Sequence, residues 1–516
     1  MSLNRTEILP EARIPDTAEL QERGQELART WRVEPGAFLK ATGAGSEAAY
    51  KQAAAAEGRI MQHAQIGFRD FQRSCDAYAE IFEDCAAQDV TVDRYGITLD
   101  WSMGQIRDKR DQAQRGTGLI LGDVEDFAKF TSRAPVAPHF GDFVLGFPAS
   151  VENTQAALAA GSTSIGNLGQ YFTFRLPGED DDFTATEATV TALALIATQD
   201  VDVLVHSNLD DGYAALFTDL ASSLGAALLE RYIVEELLGA TISHCYGHHF
   251  TDPVRRLAFH FALAEVGTAP GTMIYGNTVS YSGSAAQNYA SLASYLLADV
   301  HGQRAAPSGH AVNPVPVTEN SRIPDTDEII DAQLFAGRLI KQSEAAMALM
   351  DLETPRELAE EIVRGGRIFF DNTLEGLTRA GIDTADAAEM LLALRRLGGK
   401  RLEELFGAGT QDETKLRGRD PVVPSPLVEE LAETAEAHLA RVFPSARAQL
   451  AIMGPSVLVA TTDVHEHGKM LLESALRDLA VKNLDAQQNQ AKQSLIWSCP
   501  LSVWSRNKII LKGTSV

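Results

Sequence analysis

The chain has 516 residues and a formal net charge of -25 at pH 7. Because nucleic acids and anionic membranes are bound by basic protein surfaces, this charge argues against both classes of partner. The four cysteines form no CxxC pair, which fits a reducing compartment. The sequence shows neither the apolar core of a signal peptide nor a run of about 18 apolar residues, so we expect a cytoplasmic protein.

Residues 1–60 have a polar, helical pattern and predict a helical lead-in. From residue 61 onward, short β-type runs alternate with helical patterns. The runs are TVDRYGITLDW (91–101), LILG (119–122), FVLGFP (143–148), YFTFRLP (171–177), DVLVHSN (202–208), ATISHCYG (240–247) and TMIYGN (272–277). Seven or eight strand–helix units within residues 61–325 predict an α/β fold, a (β/α)8 TIM-type barrel. The pattern alone does not distinguish this barrel from a doubly wound open sheet.

The segments after these runs differ in composition. Residues 301–326 are rich in Pro, Ser, Asn and Gly and predict a linker or long loop at the end of the barrel. Helical patterns dominate residues 326–410, and residues 411–454 predict a second linker followed by a helix. The run SVLVATT (456–462) predicts a buried strand that opens a last module over residues 455–516.

A cluster of possible metal ligands follows the run at 240–247. It contains His244, Cys245, His248, His249 and Asp252. Three interpretations stay open: contact with a cofactor or substrate, which makes His244 a catalytic candidate, a structural role, or a metal site. The third would make the chain a metal-dependent hydrolase on a TIM barrel, using residues 244–252 to activate a water molecule.

The most informative motif is DVHEHG at residues 463–468, between the predicted strand and an amphipathic helix. A neutral imidazole is a good ligand for a borderline metal, and the carboxylate two residues earlier suits its other ring nitrogen. Glycine lets the backbone pass close to a bulky group. The pattern Asp-x-His-x-x-Gly resembles the corrinoid-binding signature of cobalamin-dependent mutases and methyltransferases. The resemblance implies a flavodoxin-like (Rossmann-like) module in which Asp463, His465 and Gly468 bind adenosylcobalamin, with His465 as the ligand of cobalt.

Two other interpretations of this motif stay open. His465 and His467 could cap the start of a helix in a solvated loop, or they could form a zinc or iron site. Only 48 residues follow Gly468, and residues 481–516 hold five Lys or Arg against one acid in an otherwise acidic chain. We therefore expect a truncated cobalamin-binding module, for which a separate small corrinoid-binding subunit is a candidate partner.

A second resemblance covers roughly residues 60–400. The segment AGSTSIGNLGQY (160–171) is similar to a Gly-x-Thr-Ser segment, glycine-rich loop and tyrosine in the catalytic barrel subunit of glutamate mutase (methylaspartate mutase, epsilon chain). The segment IGFRDF (66–71) is similar to a strand end of that family that carries a substrate arginine. The resemblance implies catalytic roles for Arg69, Asn167 and Tyr171 and a cofactor contact for Ser164. The family's glutamate for the substrate amino group has no counterpart at residues 165–167, so glutamate itself is not the expected substrate.

Together these features predict a cobalamin-dependent radical isomerase, a carbon-skeleton mutase acting on a small carboxylic or amino acid, and we expect a homodimer. In such enzymes the cofactor supplies the radical chemistry, and the protein seals the barrel and holds the substrate carboxylate. A corrinoid-dependent methyltransferase is an alternative that fits the same motif. A non-enzymatic corrinoid carrier is disfavoured because it would not need the large barrel.

Overall fold

The computed structural model describes residues 3–178, 181–281, 284–412 and 419–426. These residues form a mixed α/β fold with short parallel strands. The strands are β1 (His63–Ile66), β2 (Arg94–Ile97), β3 (Ala137–His139), β4 (Ser164–Gly166), β5 (Leu204–Asn208), β6 (Thr241–Cys245), β7 (Met273–Ile274) and β8 (Ala311–Val312).

Helices make up most of the rest of the described chain. The α-helices are α1 (Arg5–Ile8), α2 (Thr17–Leu27), α3 (Ala37–Thr42), α4 (Glu47–Ala56), α5 (Phe71–Ala87), α6 (Arg107–Arg110), α7 (Val124–Thr131), α8 (Ser150–Ala159), α9 (Leu168–Thr173), α10 (Asp182–Ala197), α11 (Leu220–Arg231), α12 (Pro253–Val266), α13 (Ala285–Ala305), α14 (Thr326–Ala346), α15 (Glu353–Ala380) and α16 (Ala387–Phe406). Short 3-10 helices span Trp101–Gly104, Thr278–Ser280 and Met347–Leu349, and a π-helix spans Tyr232–Leu237. Among the described residues, no helix combines the length and apolar character needed to cross a membrane.

The strands pair in three parallel sheets, in the orders β1-β2-β3, β4-β5-β6 and β7-β8. Three isolated parallel bridges lie between strands of different sheets. They are Phe140 with Ile165, Tyr246 with Ile274, and Gln62 with Val312. The bridges therefore bring β3 beside β4, β6 beside β7, and β8 beside β1.

At least one helix follows each strand before the next strand begins, as parallel pairing requires. Several of these helices begin at an aspartate whose side chain accepts a hydrogen bond from a backbone N–H of the first turn. These aspartates are Asp70, Asp123, Asp181, Asp219 and Asp252. Such a cap stabilises a helix by about 1 kcal/mol and fixes where it starts. The helices therefore begin at defined positions after the carboxyl ends of their strands.

The three sheets have one face in common, on which side chains from different sheets contact one another. Arg94 on β2 contacts Ser164 on β4 at 3.1 Å and the sulfur of Met273 on β7 at 3.7 Å. The opposite face packs against the helices, where Ile274 lies in an apolar cluster with residues of α12. We call the shared surface the inner face.

Glycines on the inner face make room for large polar side chains. A Cβ on Gly166 would lie 2.6 Å from the Cδ2 atom of His206 and 2.7 Å from its carbonyl oxygen. A Cβ on Gly96 would lie 2.0 Å from the Oε1 atom of Gln65. The imidazole and amide groups thus fill space that any other residue at these positions would occupy.

Several of the predicted strands are wrong. Residues 143–148 form no strand, because the N–H groups of Phe143 and Phe147 donate to side chains, those of Gln170 and Ser150, rather than to a neighbouring strand. The run 171–177 begins inside α9 instead of forming a strand. The predicted linker at 301–326 contains the end of α13 and all of β8.

Candidate functional site

A buried group of ions lies at the amino-terminal side of the inner face. The Nε atom of Arg94 donates to the Oε1 atom of Glu47 over 2.8 Å, and both side chains are almost fully buried. Lys51, one turn further along α4, donates to the carbonyl oxygens of Thr272 (2.7 Å) and Gly309 (3.1 Å). Burial lowers the pKa of Lys51 to about 8. We call Glu47, Lys51 and Arg94 the ion cluster.

Three buried histidines, His63, His139 and His206, surround this cluster. The rings of His139 and His206 lie 4.3 Å apart, and the Nδ1 atom of His206 lies 2.9 Å from the hydroxyl oxygen of Thr272. Burial, followed by the positive charge of Arg94, lowers the pKa of all three histidines well below its usual value. The three imidazoles are therefore neutral at physiological pH.

A second polar group lies where β5 and β6 end. The carboxylate of Asp210 accepts hydrogen bonds from the backbone N–H groups of His248 (2.9 Å) and His249 (3.4 Å). The Nδ1 atom of His249 lies 3.2 Å from the same carboxylate. Burial would raise the pKa of Asp210, but its hydrogen bond with His249 and the adjacent imidazoles lower it below the ordinary value. Asp210 is thus a buried carboxylate that orients the ring of His249.

The other ring nitrogen of His249 has no hydrogen-bond partner among the described residues, although the residue is only 4% exposed. Asn313 is similar: it directly follows β8, is 1% exposed, and neither of its amide atoms has a partner in the described chain. Strand alternation places Asn313 on the same face as Ala311, which packs with Met273 and Cys245. Because buried polar atoms are nearly always satisfied in native proteins, such atoms require an explanation.

Asn167 lies at the end of β4 and is bonded to the end of β5. Its Oδ1 atom accepts from the backbone N–H of Asn208 over 2.9 Å, and its Nδ2 atom donates to Asp211 over 2.7 Å. The side chain of Asn208 donates to the same oxygen of Asp211 over 3.1 Å. We call the polar residues at these strand ends the carboxyl-end site: Asn167, Asn208, Asp210, Asp211, His248, His249 and Asn313.

The other predicted site residues are spread over the structure. Arg69, just after β1, is exposed and donates through Nε to the carbonyl oxygen of Thr117 over 2.8 Å. Ser164 lies 3.1 Å from the Nη2 atom of Arg94, on the inner face. Tyr171 is buried among helices, with its hydroxyl 2.7 Å from that of Thr186. Of the predicted residues outside the histidine cluster, only Asn167 belongs to the carboxyl-end site. Arg69 also follows the carboxyl end of a strand.

The predicted histidine cluster at 244–252 is divided. The Nε2 atom of His244 lies 3.1 Å from a carboxylate oxygen of Glu230 on α11. His244 lines a cavity of about 320 Å³ near the amino ends of β7 and β8, away from the carboxyl-end site. The Nδ1 atom of His248 lies 3.1 Å from the Oγ1 atom of Thr278 instead. Within the described residues, no group of three or more His, Cys, Asp or Glu is arranged to hold a metal ion.

Sequence reasoning missed Asp210 and Asn313. Each stands one or two residues beyond the end of its strand, where ligands of parallel sheets are commonly bound. The acidic pair at 210–211, directly after the run 202–208, was a usable signal. No comparable sequence signal marked Asn313, because the strand before it is two residues long and lies in a proline-rich segment. Asp463, His465 and Gly468 lie outside the described residues.

No protein-family model matches the chain, and no curated protein matches it. The assignment of a function therefore depends on the residues themselves.

Proposed function

We propose that this chain is a (β/α)8-barrel enzyme that rearranges a small carboxylic or amino acid with adenosylcobalamin. The observation that carries the proposal is the carboxyl-end site, a buried set of polar side chains at the ends of parallel strands with atoms left unpartnered. Enzymes built on this barrel bind their substrates at that face. The DVHEHG motif at residues 463–468 is the reason for proposing adenosylcobalamin as the cofactor.

The strand arrangement supports a closed barrel. Eight parallel strands are present among the described residues, and each precedes a helix. The bridge between Gln62 and Val312 joins the last strand to the region of the first. In a ring of eight strands the inner face is filled by side chains, as Arg94 and the three histidines fill it here.

The carboxyl-end site would bind the adenosyl part of this cofactor. An asparagine amide offers a donor and an acceptor side by side, which matches the N6 and N7 edge of adenine. Asn313 has both atoms unpartnered within the described chain and would hold that base. His465 would ligate cobalt, with Asp463 on its other ring nitrogen. Bound adenosylcobalamin supplies the radical that starts the rearrangement.

The chain's own residues would hold the substrate. The guanidinium of Arg69 is fixed through Nε, and its planar fork suits a carboxylate. Asn167 would position the end of β5, because its amide joins the backbone of Asn208 to the carboxylate of Asp211. Burial of these strand ends would exclude water from the reacting atoms.

The contacts of the histidine cluster favour this proposal over a metal-dependent hydrolase. His244 is paired with Glu230 on α11, whereas His249 is paired with Asp210 at the end of β5. A metal held by the 244–252 cluster would need these side chains to converge. In the structure the two histidines instead contact different carboxylates, Glu230 and Asp210.

The proposal is tested by the absorption spectrum of the purified chain mixed with adenosylcobalamin. Binding through His465 would displace the cofactor's own base and change the spectrum, and His465→Ala should abolish that change. Asp463→Asn should weaken binding by roughly 10–100-fold, as losses of a ligand's supporting carboxylate do. His467→Ala is the matched control and should leave the spectrum unchanged. Equal affinity in wild type and His465→Ala would contradict the proposal, as would zinc or iron at one ion per chain.

A further inference from the structure

We propose that His249, oriented by Asp210, accepts a hydrogen bond from an amine or hydroxyl group of the substrate. His249 would thereby select amino and hydroxy acids over unsubstituted acids. The carboxylate of that substrate is taken from the proposed function, whereas the role of His249 rests on its own contacts.

The partner of His249 fixes its tautomer. A carboxylate only accepts hydrogen bonds, so the imidazole nitrogen facing Asp210 must carry the hydrogen. In the neutral ring the other nitrogen, Nε2, then holds a lone pair and is an acceptor. Asp210 is itself held by two backbone N–H groups, from His248 and His249, so it is a positioning residue with a fixed orientation.

The burial of His249 makes this acceptor selective. Its Nε2 atom is shielded by protein and finds no donor among the described residues. A ligand that brings an N–H or O–H group satisfies it, whereas an alkyl group leaves it unsatisfied. Leaving such a buried acceptor unsatisfied should weaken binding by roughly 5–150-fold.

Charge distinguishes the two kinds of donor. Asp210 and Asp211 are adjacent carboxylates, and Asp211 accepts hydrogen bonds from the amides of Asn167 and Asn208. Two negative charges at the end of β5 attract a cation more strongly than a neutral group. We therefore expect amino acids, with their ammonium group, to bind more tightly than hydroxy acids.

The test is isothermal titration calorimetry of the full 516-residue chain at pH 8 without cobalamin. The probes are four- to six-carbon carboxylic acids that carry an amino group, a hydroxyl group or neither at C2. The amino and hydroxy members should bind roughly 5–150-fold more tightly than the unsubstituted acids. Equal binding of all three, or binding of none, would overturn the proposal.

Variants separate recognition from a structural role. His249→Phe should abolish the preference, and His249→Gln, which keeps an acceptor, should retain part of it. Asp210→Asn should also abolish it, because an amide can donate to the ring and move the proton to Nε2. His310→Gln, at a buried histidine just before β8, is the control and should preserve it. Persistence of the preference in His249→Phe would contradict the proposal.

A measurement on the wild type covers variants that fail to fold. The ¹⁵N side-chain shifts of His249 should show the tautomer with hydrogen on Nδ1, and the opposite tautomer would overturn the assignment. The test of His249 and the test of cobalamin binding can fail independently of each other. If the acids discriminate as expected while His465→Ala leaves the cobalamin spectrum unchanged, the cofactor is wrong and the role of His249 stands.

Discussion

The ion cluster and the carboxyl-end site occupy the two ends of the same strands, and they use buried polar groups differently. In the ion cluster, Arg94 and Lys51 are matched by Glu47 and by backbone carbonyls. In the carboxyl-end site, His249 and Asn313 keep buried atoms without partners in the described chain. The first group pairs its cations within the protein, although the Oε2 atom of Glu47 has no hydrogen-bond partner among the described residues. The second group offers hydrogen bonds to another molecule. Substitutions should therefore cost stability at one end and binding at the other.

The largest loss of stability is expected from Glu47→Ala. This change leaves Arg94 and Lys51 as buried cations without their carboxylate. Breaking a buried ion pair from one side costs about 3–5 kcal/mol of unfolding free energy. Urea unfolding measures the change, with exposed Glu57→Ala on the same helix region as the control. A loss no larger than the control's would remove the distinction between the two ends.

Acid should weaken the same end of the strands. The pKa values of His63, His139 and His206 are lowered in the folded state, whereas unfolded histidines titrate near pH 6.5. The unfolded chain then binds more protons, so stability is fully present above about pH 6.5 and falls as the pH drops below it, by about 1.4 kcal/mol per unit per histidine. Urea unfolding between pH 7.5 and 5.5 measures this slope, and His206→Gln should reduce it. If the unfolding free energy of the wild type did not change over this pH range, the three histidines would not be buried in their neutral form.

Overpacking on the inner face should have an intermediate effect. A methyl group on Gly166 would meet the Cβ and carbonyl oxygen of His206 at 2.8 and 2.7 Å, and backbone atoms do not move aside easily. Gly166→Ala should lower the unfolding free energy by about 1–3 kcal/mol. Gly45→Ala, where a Cβ has no neighbour within 4 Å, should change it by less than about 0.5 kcal/mol. Equal stability of the two variants, from their thermal midpoints, would show that the inner face repacks freely.

The smallest effect on stability is expected at Asn313. Asn313→Leu removes two unsatisfied polar atoms and should leave the thermal midpoint unchanged or slightly raised. Asn153→Leu is the contrasting variant, since its amide donates to the carbonyl oxygen of Met103 over 2.7 Å, and should lose about 1–3 kcal/mol. If Asn313→Leu destabilised the protein as much as Asn153→Leu, the amide would be structural rather than part of a binding site.

The sequence predicted four of the eight strands, β2, β5, β6 and β7, and missed β1, β3, β4 and β8. The runs at 91–101, 202–208, 240–247 and 272–277 each contain a strand, because several β-branched or aromatic residues follow one another. β3, β4 and β8 have two or three residues each, with Pro, Gly or Ala among them. Their pairing comes from neighbouring strands rather than from local propensity, and no local pattern reveals it.

The site was harder to predict because its contacts join distant parts of the chain. His249 was among the candidates for its residue type alone, but its partner Asp210 stands 39 positions earlier. Glu47 and Arg94 are likewise 47 positions apart. Asn167 was named because of a family resemblance, and it lies directly after β4. His244 was singled out for its neighbours in sequence, yet alternation along β6 turns it toward α11.

The bridge between Gln62 and Val312 has a consequence for biosynthesis. Residue 62 leaves the ribosome 250 residues before its partner at 312 (312 − 62 = 250). At a synthesis rate of about 5–20 residues per second, that edge of β1 stays unpaired for roughly 10–50 seconds before β8 is made. An unpaired strand edge invites pairing with other chains in that interval. We therefore expect the nascent chain to need chaperones. Without them, part of it should aggregate, and the aggregated fraction should increase with protein concentration, even if the folded protein is stable.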